Sequence, residues 1–160
     1  MIDIFPPNVQ EYIKDSSVKF SISPETKFYE IAQEKLGREG IFDVRGFFVP
    51  DENKIYLKEN ATASTIAHEV GHSIDWYLGD RQVRFLSQCH SGIFLNFKKA
   101  KEAKLCVTPY SLKSVTEYFA EGFSSFLGLN ENKMICQADR QCLKITAPFL
   151  ENYFSRLFRM

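Results

Sequence analysis

Apolar and polar positions along the chain fall into two regimes. Up to about residue 60 the signals are short and mixed. Residues 6–13 follow Pro6-Pro7 and predict a short helix. The segment VKFSI (18–22) alternates apolar and polar side chains, as a half-buried strand does. Ser23-Pro24-Glu25 reads as a helix start, with a hydroxyl cap, proline at the first helical position and then an acid. That helix should run to Leu36 and stop at Gly37. IFDVRGFFVP (41–50) and KIYLK (54–58), parted by Asp51-Glu52-Asn53, predict a β-hairpin.

After Asn60 the helical period takes over. A helix is expected over about 62–78, closed by Gly79 at its C-terminal position. Segments 80–89 and 92–104 also read as helical, and Pro109 then breaks the chain. A helix over about 112–127 ends at Gly128, and an amphipathic one over about 146–158 carries Phe149, Tyr153, Leu157 and Phe158. The class is therefore α+β, with a small N-terminal sheet and helix and a helical C-terminal half. The 160 residues read as one domain, divided into a sheet-containing part (1–60) and a helical part (61–160).

Composition narrows the picture further. Hydrophobic residues make up 44% and charged residues 25%, and 20 basic residues balance 20 acidic ones. A chain without net charge is not expected to bind nucleic acid or anionic membranes. No apolar run reaches the roughly 20 residues that span a bilayer. The lysines 98, 99, 101 and 104 read as a solvated helix face. The start, MIDIFPPNVQEYIKD, lacks the basic and apolar stretches of a signal peptide. Either the protein is made without a leader or one has been removed. A monomer is expected. Cys89, Cys106, Cys136 and Cys142 form no CxxC pair, so a thiolate zinc site is not indicated. Cys136 and Cys142 flank the polar loop QADRQ and could bridge in an oxidising compartment; four reduced, partly buried thiols is the preferred reading.

The stretch Ile66-Ala67-His68-Glu69-Val70-Gly71-His72-Ser73-Ile74 carries the chemistry. At 100° per residue, His68 and His72 share one helix face and can meet one ion. Glu69 points elsewhere, placed to take a proton from a metal-bound water. Ile66, Val70 and Ile74 lie roughly 200° from the histidines and form an apolar stripe. Gly71 leaves room for a neighbouring backbone. Alone, HExxH also fits a helix with two ordinary histidines and an exposed glutamate. Here two of the three histidines in the chain are in the motif.

A third ligand should be His, Asp or Glu from another helix. His90 sits in a loop and would have to fold back over the site. SVTEYFAEGFSSF (114–126) offers Glu117 and Glu121 on one helical face, with Val115, Phe119 and Phe126 facing the core. Ser114-Val115-Thr116-Glu117 also fits a capping box, in which Glu117 only ties down the helix start. Glu121 is either an exposed acid or a carboxylate that accepts a hydrogen bond from a ligating histidine. Tyr110, after Pro109, could equally be a packed aromatic in a turn.

HEVGH followed by PYSLKSVTEYFAEGF resembles the catalytic domain of anthrax lethal factor and the clostridial Pro-Pro endopeptidases. These are gluzincins, zinc peptidases whose third ligand is a glutamate downstream of HExxH. In that pattern a tyrosine precedes an E-x-F-A-E-x-F segment by seven residues, as Tyr110 precedes Glu117 here. The resemblance spans roughly residues 40–128, including GFFVPDENKIYL before the motif. It implies a zinc endopeptidase with one Zn²⁺ held by His68, His72 and Glu117. It further implies Glu69 as general base, Tyr110 as an aid to the transition state, and Glu121 behind a ligand. The expected partner is an extended peptide of a protein substrate, paired with an exposed edge at 42–49 or 54–58. The family resemblance suggests a secreted or exported enzyme. Two other readings stay open: a catalytically silent binding module of the same fold, and an intracellular regulatory peptidase.

Overall fold

The computed structural model describes residues 1–37, 43–80, 83–131 and 139–160. Helix α1 (Pro7–Ser16) leads into strand β1 (Lys19–Ser23) and helix α2 (Glu25–Leu36). Strands β2 (Gly46–Val49) and β3 (Lys54–Lys58) follow, and then six helices: α3 (Ala63–Leu78), α4 (Leu86–Cys89), α5 (Ser91–Ala103), α6 (Val115–Phe126), α7 (Arg140–Thr146) and α8 (Pro148–Leu157). The fold is α+β.

The sheet has the order β1-β3-β2. β2 and β3 form the expected hairpin, antiparallel with Phe47 opposite Tyr56. Its turn is a 3₁₀ stretch, Pro50–Glu52, closed by Asn53 at φ 46°. Asparagine tolerates that left-handed backbone better than most residues. Residues 41–42 of the longer strand expected there lie outside the described residues. β1 pairs in parallel with the other side of β3. β3 is thus the central strand, and 54–58 is not an edge; of the two candidates, the edge is β2.

Period-two alternation gives β3 two buried faces. Tyr56 joins Phe28, Ala32 and Phe47 beneath α2, stacking on Phe47 at 5.1 Å between centroids. Ile55 and Leu57 point to the opposite side, into the larger core with Val70 and Ile74 of α3. That core continues through Phe119, Phe123 and Phe126 of α6 to Phe154 and Phe158 of α8. Val9 and Ile13 of α1 join it as well.

Several local expectations need correction. Ser23 does not cap α2: it is the last residue of β1, and Pro24 stands at the cap position without a side-chain bond. Gly37 does close α2, at φ 62°. Gly79 closes α3 with φ −85°, so the left-handed requirement is absent. Its small size is needed instead, because a Cβ there would lie 2.4 Å from the carbonyl oxygen of Arg84. Within 80–89 only α4 is helical; Asp80 bridges to Arg84, and 81–82 lie outside the described residues. The last expected helix, 146–158, is α8; an additional short helix, α7, precedes it, and Pro148, which cannot continue α7, starts α8. Cys142 is disulfide-bonded, against the reading of four reduced thiols, while Cys89 and Cys106 are free. Cys136, the other residue of the suggested pair, lies outside the described residues. No described helix is long and apolar enough to cross a membrane.

Candidate metal centre

Helix α3 is set up by its own sequence. Thr62 caps it, its hydroxyl accepting from the Thr65 N–H at 3.3 Å. Ala67, Val70 and Ile74 are fully buried, which fixes the rotation of the helix. Ile66, the third residue expected on the apolar stripe with Val70 and Ile74, is only half-buried. Gly71 faces α6: a Cβ there would sit 2.9 Å from the Cα of Ala120. The two helices therefore touch backbone to backbone, next to the two histidines.

That crossing brings His68 and His72 against Glu117 and Glu121. Ser114 is the N-cap of α6 and accepts from the Glu117 N–H at 3.2 Å. The capping-box reading is thus half met. The serine caps the helix, but the Glu117 carboxylate turns away from the cap to the histidines. Its Oε2 lies 3.0 Å from His68 Nε2 and 3.4 Å from His72 Nε2. The two Nε2 atoms are 3.1 Å apart. Glu117 Oε2 is buried and makes no aligned hydrogen bond to either ring.

Glu121 stands one helical turn further on. Its Oε1 accepts from His68 Nδ1 at 2.8 Å. Its Oε2 accepts from the Thr108 hydroxyl at 2.6 Å and from Asn130 Nδ2 at 3.0 Å. An ionised carboxylate can only accept, so the His68 proton sits on Nδ1. In the neutral ring, Nε2 then presents a lone pair to Glu117 and His72. Once the rings are neutral with Nε2 unprotonated, two imidazole nitrogens and one carboxylate oxygen converge on one point. Zinc bonds such atoms at about 2.0–2.1 Å, which puts tetrahedral neighbours about 3.3 Å apart. The three separations of 3.0, 3.1 and 3.4 Å match that edge. Among the described residues, this trio is the group able to hold a metal ion.

No protein-family model matches the chain, and no curated protein matches it either. The functional reading therefore rests on the site itself.

Charge in the site is arranged around the histidines. Burial opposes a proton on His68, yet the Glu117 and Glu121 carboxylates beside it hold its pKa up to about 10. Burial would raise Glu117, but His68 and His72 keep it well below the usual carboxylate range. Burial likewise works against Glu121, and His68 and Thr108 lower it on balance. Glu69 is raised, chiefly because it is buried, although His68 and His72 and the Phe48 main chain pull the other way. Burial and the Glu117 carboxylate push the Tyr110 phenol up to about 12.

Glu69 and Tyr110 flank the trio. Glu69 projects to the sheet side, 7% exposed, against edge strand β2. Gly46 permits this approach, since a Cβ there would meet Glu69 Cγ at 3.1 Å and Thr65 Cγ2 at 3.0 Å. Tyr110 lies in a 3₁₀ turn, Pro109–Leu112, and donates a long 3.4 Å bond to Glu117 Oε1. Two cavities meet at His68, Glu69 and Tyr110. One, of about 750 Å³, has polar walls including Arg45, Thr65, Lys113 and Asn130. The other, of about 280 Å³, adds Leu36, Phe48 and Phe85 beside the polar groups of His72, Thr116 and Glu117.

His90 is not part of this group. It caps α5, its Nδ1 accepting from the Ile93 N–H, and its ring packs on Phe149 and Tyr153. Sequence reasoning passed over Thr108, Asn130 and the buried pair Asp75 and Ser87. The Thr-Pro signature of a capped turn could have pointed to Thr108. Asp75 gives no such sign. It accepts from the Ser87 N–H at 2.7 Å and hydroxyl at 2.6 Å, pinning α4 beside α3. Phe85, just before α4, is thereby held against Trp76 and His72.

Proposed function

We propose that this chain is a zinc-dependent endopeptidase of the gluzincin type, resembling the lethal factor and Pro-Pro endopeptidase group. The observation that carries the reading is the half-buried convergence of His68 Nε2, His72 Nε2 and Glu117 Oε2, with His68 Nδ1 already committed to Glu121. His68, His72 and Glu117 would hold the ion. Bound there, zinc supplies Lewis acidity and a water whose pKa falls to about 7. Glu69, raised by burial toward the working pH, takes the proton of the attacking water and returns it to the leaving amine. Tyr110 stays protonated across the physiological range and can donate to the carbonyl oxygen as that oxygen gains charge.

Edge strand β2 borders both cavities through Gly46, which supports an extended substrate paired along it. Such a peptide would present one side chain to Leu36, Phe48 and Phe85 in the smaller cavity and others to the larger one. An aliphatic or aromatic residue on one side of the cleaved bond is the expected preference.

The test is metal content by mass spectrometry on the purified protein, followed by cleavage of a peptide library. About one zinc per chain, and turnover that Glu69→Ala abolishes without loss of zinc, are the expected results. A folded sample that takes up no zinc removes the reading. Zinc without any cleavage transfers it to a silent binding module.

A further inference from the structure

We propose that Thr108 is a positioning residue that locks the orientation of His68 to the placement of Tyr110. Thr108 is fully buried and touches neither cavity. Its hydroxyl is engaged as both donor and acceptor. The proton goes to Glu121 Oε2 at 2.6 Å, and the oxygen accepts from the Ser111 N–H at 3.2 Å. The first bond acts on the metal trio. Glu121 can hold the His68 ring only while its carboxylate plane is fixed, and Thr108 and Asn130 fix the oxygen remote from His68. The second bond acts on the turn. Thr108 is the N-cap of Pro109–Leu112, which carries Tyr110. Its carbonyl also accepts from the Ser111 hydroxyl at 2.6 Å.

The turn is thus tied to α6 at two levels. Thr108 bonds Glu121, and two residues later Tyr110 bonds Glu117. The two glutamates are one helical turn apart on α6. A single hydroxyl therefore sets the distance between the residue expected to donate to the substrate and the ring expected to bind the ion. A buried threonine used only for packing would need neither bond, and valine would serve as well.

The role in His68 orientation stands without a metal, whereas the effects on affinity and turnover rest on the zinc peptidase reading. The experiment compares T108V and T108S in the full chain, with T108A as a second removal of the hydroxyl that leaves space. In metal-free protein, the His68 Nδ1 proton should give a slowly exchanging downfield proton signal in wild type and T108S. In T108V and T108A it should exchange away. In zinc titrations against a competing chelator, T108V should bind more weakly, by up to about 10-fold, the low end of the effect of losing a group bonded directly to a ligand. T108S should restore wild-type affinity. Against a cleaved peptide, T108V should lower kcat with KM little changed. A retained His68 signal in T108V, or T108S as impaired as T108V, would overturn the proposal. A wild-type protein that shows the signal but takes up no zinc would instead remove the peptidase reading and leave the Thr108 link standing.

Discussion

Zinc binding at this centre should tighten steeply as pH rises, because the ion and a proton compete for His68. A ligating imidazole must be neutral. Without metal, burial disfavours the charge on His68, but the carboxylates of Glu117 and Glu121 override it and hold the pKa up to about 10. At pH 7 that is three units above the solution, so about one ring in 10³ is neutral, a handicap of about 4 kcal/mol. Glu117 is held low and is already ionised, so it releases nothing. Apparent affinity should therefore gain at least about tenfold per pH unit between pH 6.5 and 8.5, with one proton displaced from His68 per zinc and a further one released as the bound water ionises. Chelator competition across that range gives the slope, once the chelator's own protonation is subtracted. Calorimetry in two buffers of different ionisation heat counts the protons. A flat affinity with no proton release would refute the reasoning. Stability of the metal-free protein should run the other way. The folded pKa lies above the ordinary 6.5, so the contribution of His68 is complete below pH 6.5 and is lost as pH rises through about 10.

Four further outcomes can be checked. Tyr110→Phe should cost about 10²–10³ in kcat with the fold intact, and an unchanged kcat would leave Tyr110 a packing role only. Glu117→Ala should abolish tight zinc binding, whereas Ser114→Ala should cost about 0.5–2 kcal/mol of stability and keep the metal; equal zinc loss in both would show that the cap, not the carboxylate, matters. Asp75 is pushed up to about 7 by burial, although two bonds from Ser87 favour its charge. The folded protein holds that proton more tightly than the unfolded chain, so stability should fall as pH rises from about 4 through about 7, and urea titrations of Asp75→Asn should lack that decline. Gly71→Ala should force α3 and α6 apart, with about 1–3 kcal/mol lost and weaker zinc binding; a variant as stable as wild type would show that the helices can slide.

The parts of this protein that were legible in its sequence are those fixed by local chemistry. The hairpin, the stop of α2 at Gly37 and the span of α3 follow from alternation, a left-handed glycine and a capped amphipathic period. The room at Gly71 could be inferred from residue size, though its neighbour, Ala120, could not. Features decided by distant contacts were not legible. Ser23 is a good cap by type, but β3 claims it for the sheet. Gly79 reads as a C-cap, yet the returning chain at Arg84 is what requires its small size. For the site, periodicity placed His68 and His72 on one face, and the spacing of 114–126 offered Glu117 and Glu121. The sequence left Glu117 between a cap and the histidines, and only the crossing of α6 on α3 turns its carboxylate to His68 and His72. Thr-Pro marks the turn at Thr108 but not the bond its hydroxyl makes, and Asp75 was invisible because a buried carboxylate leaves no periodic trace. Their partners, Glu121 and Ser87, lie 13 and 12 residues away.

The crossing of α3 on α6 also bears on the order in which the molecule is assembled. Gly71 and Ala120 are 49 positions apart, and closing a flexible loop of that length costs about 3 kcal/mol in chain entropy. Neither helix can repay this alone, because the outer face of α6 is bare until Phe154 and Phe158 of α8 cover Phe119, Phe123 and Phe126. The histidines can be helical early, but the third acceptor reaches them only when the C-terminal helices dock. A partly made chain would carry the histidine pair without its glutamate, so the trio becomes complete only as folding finishes.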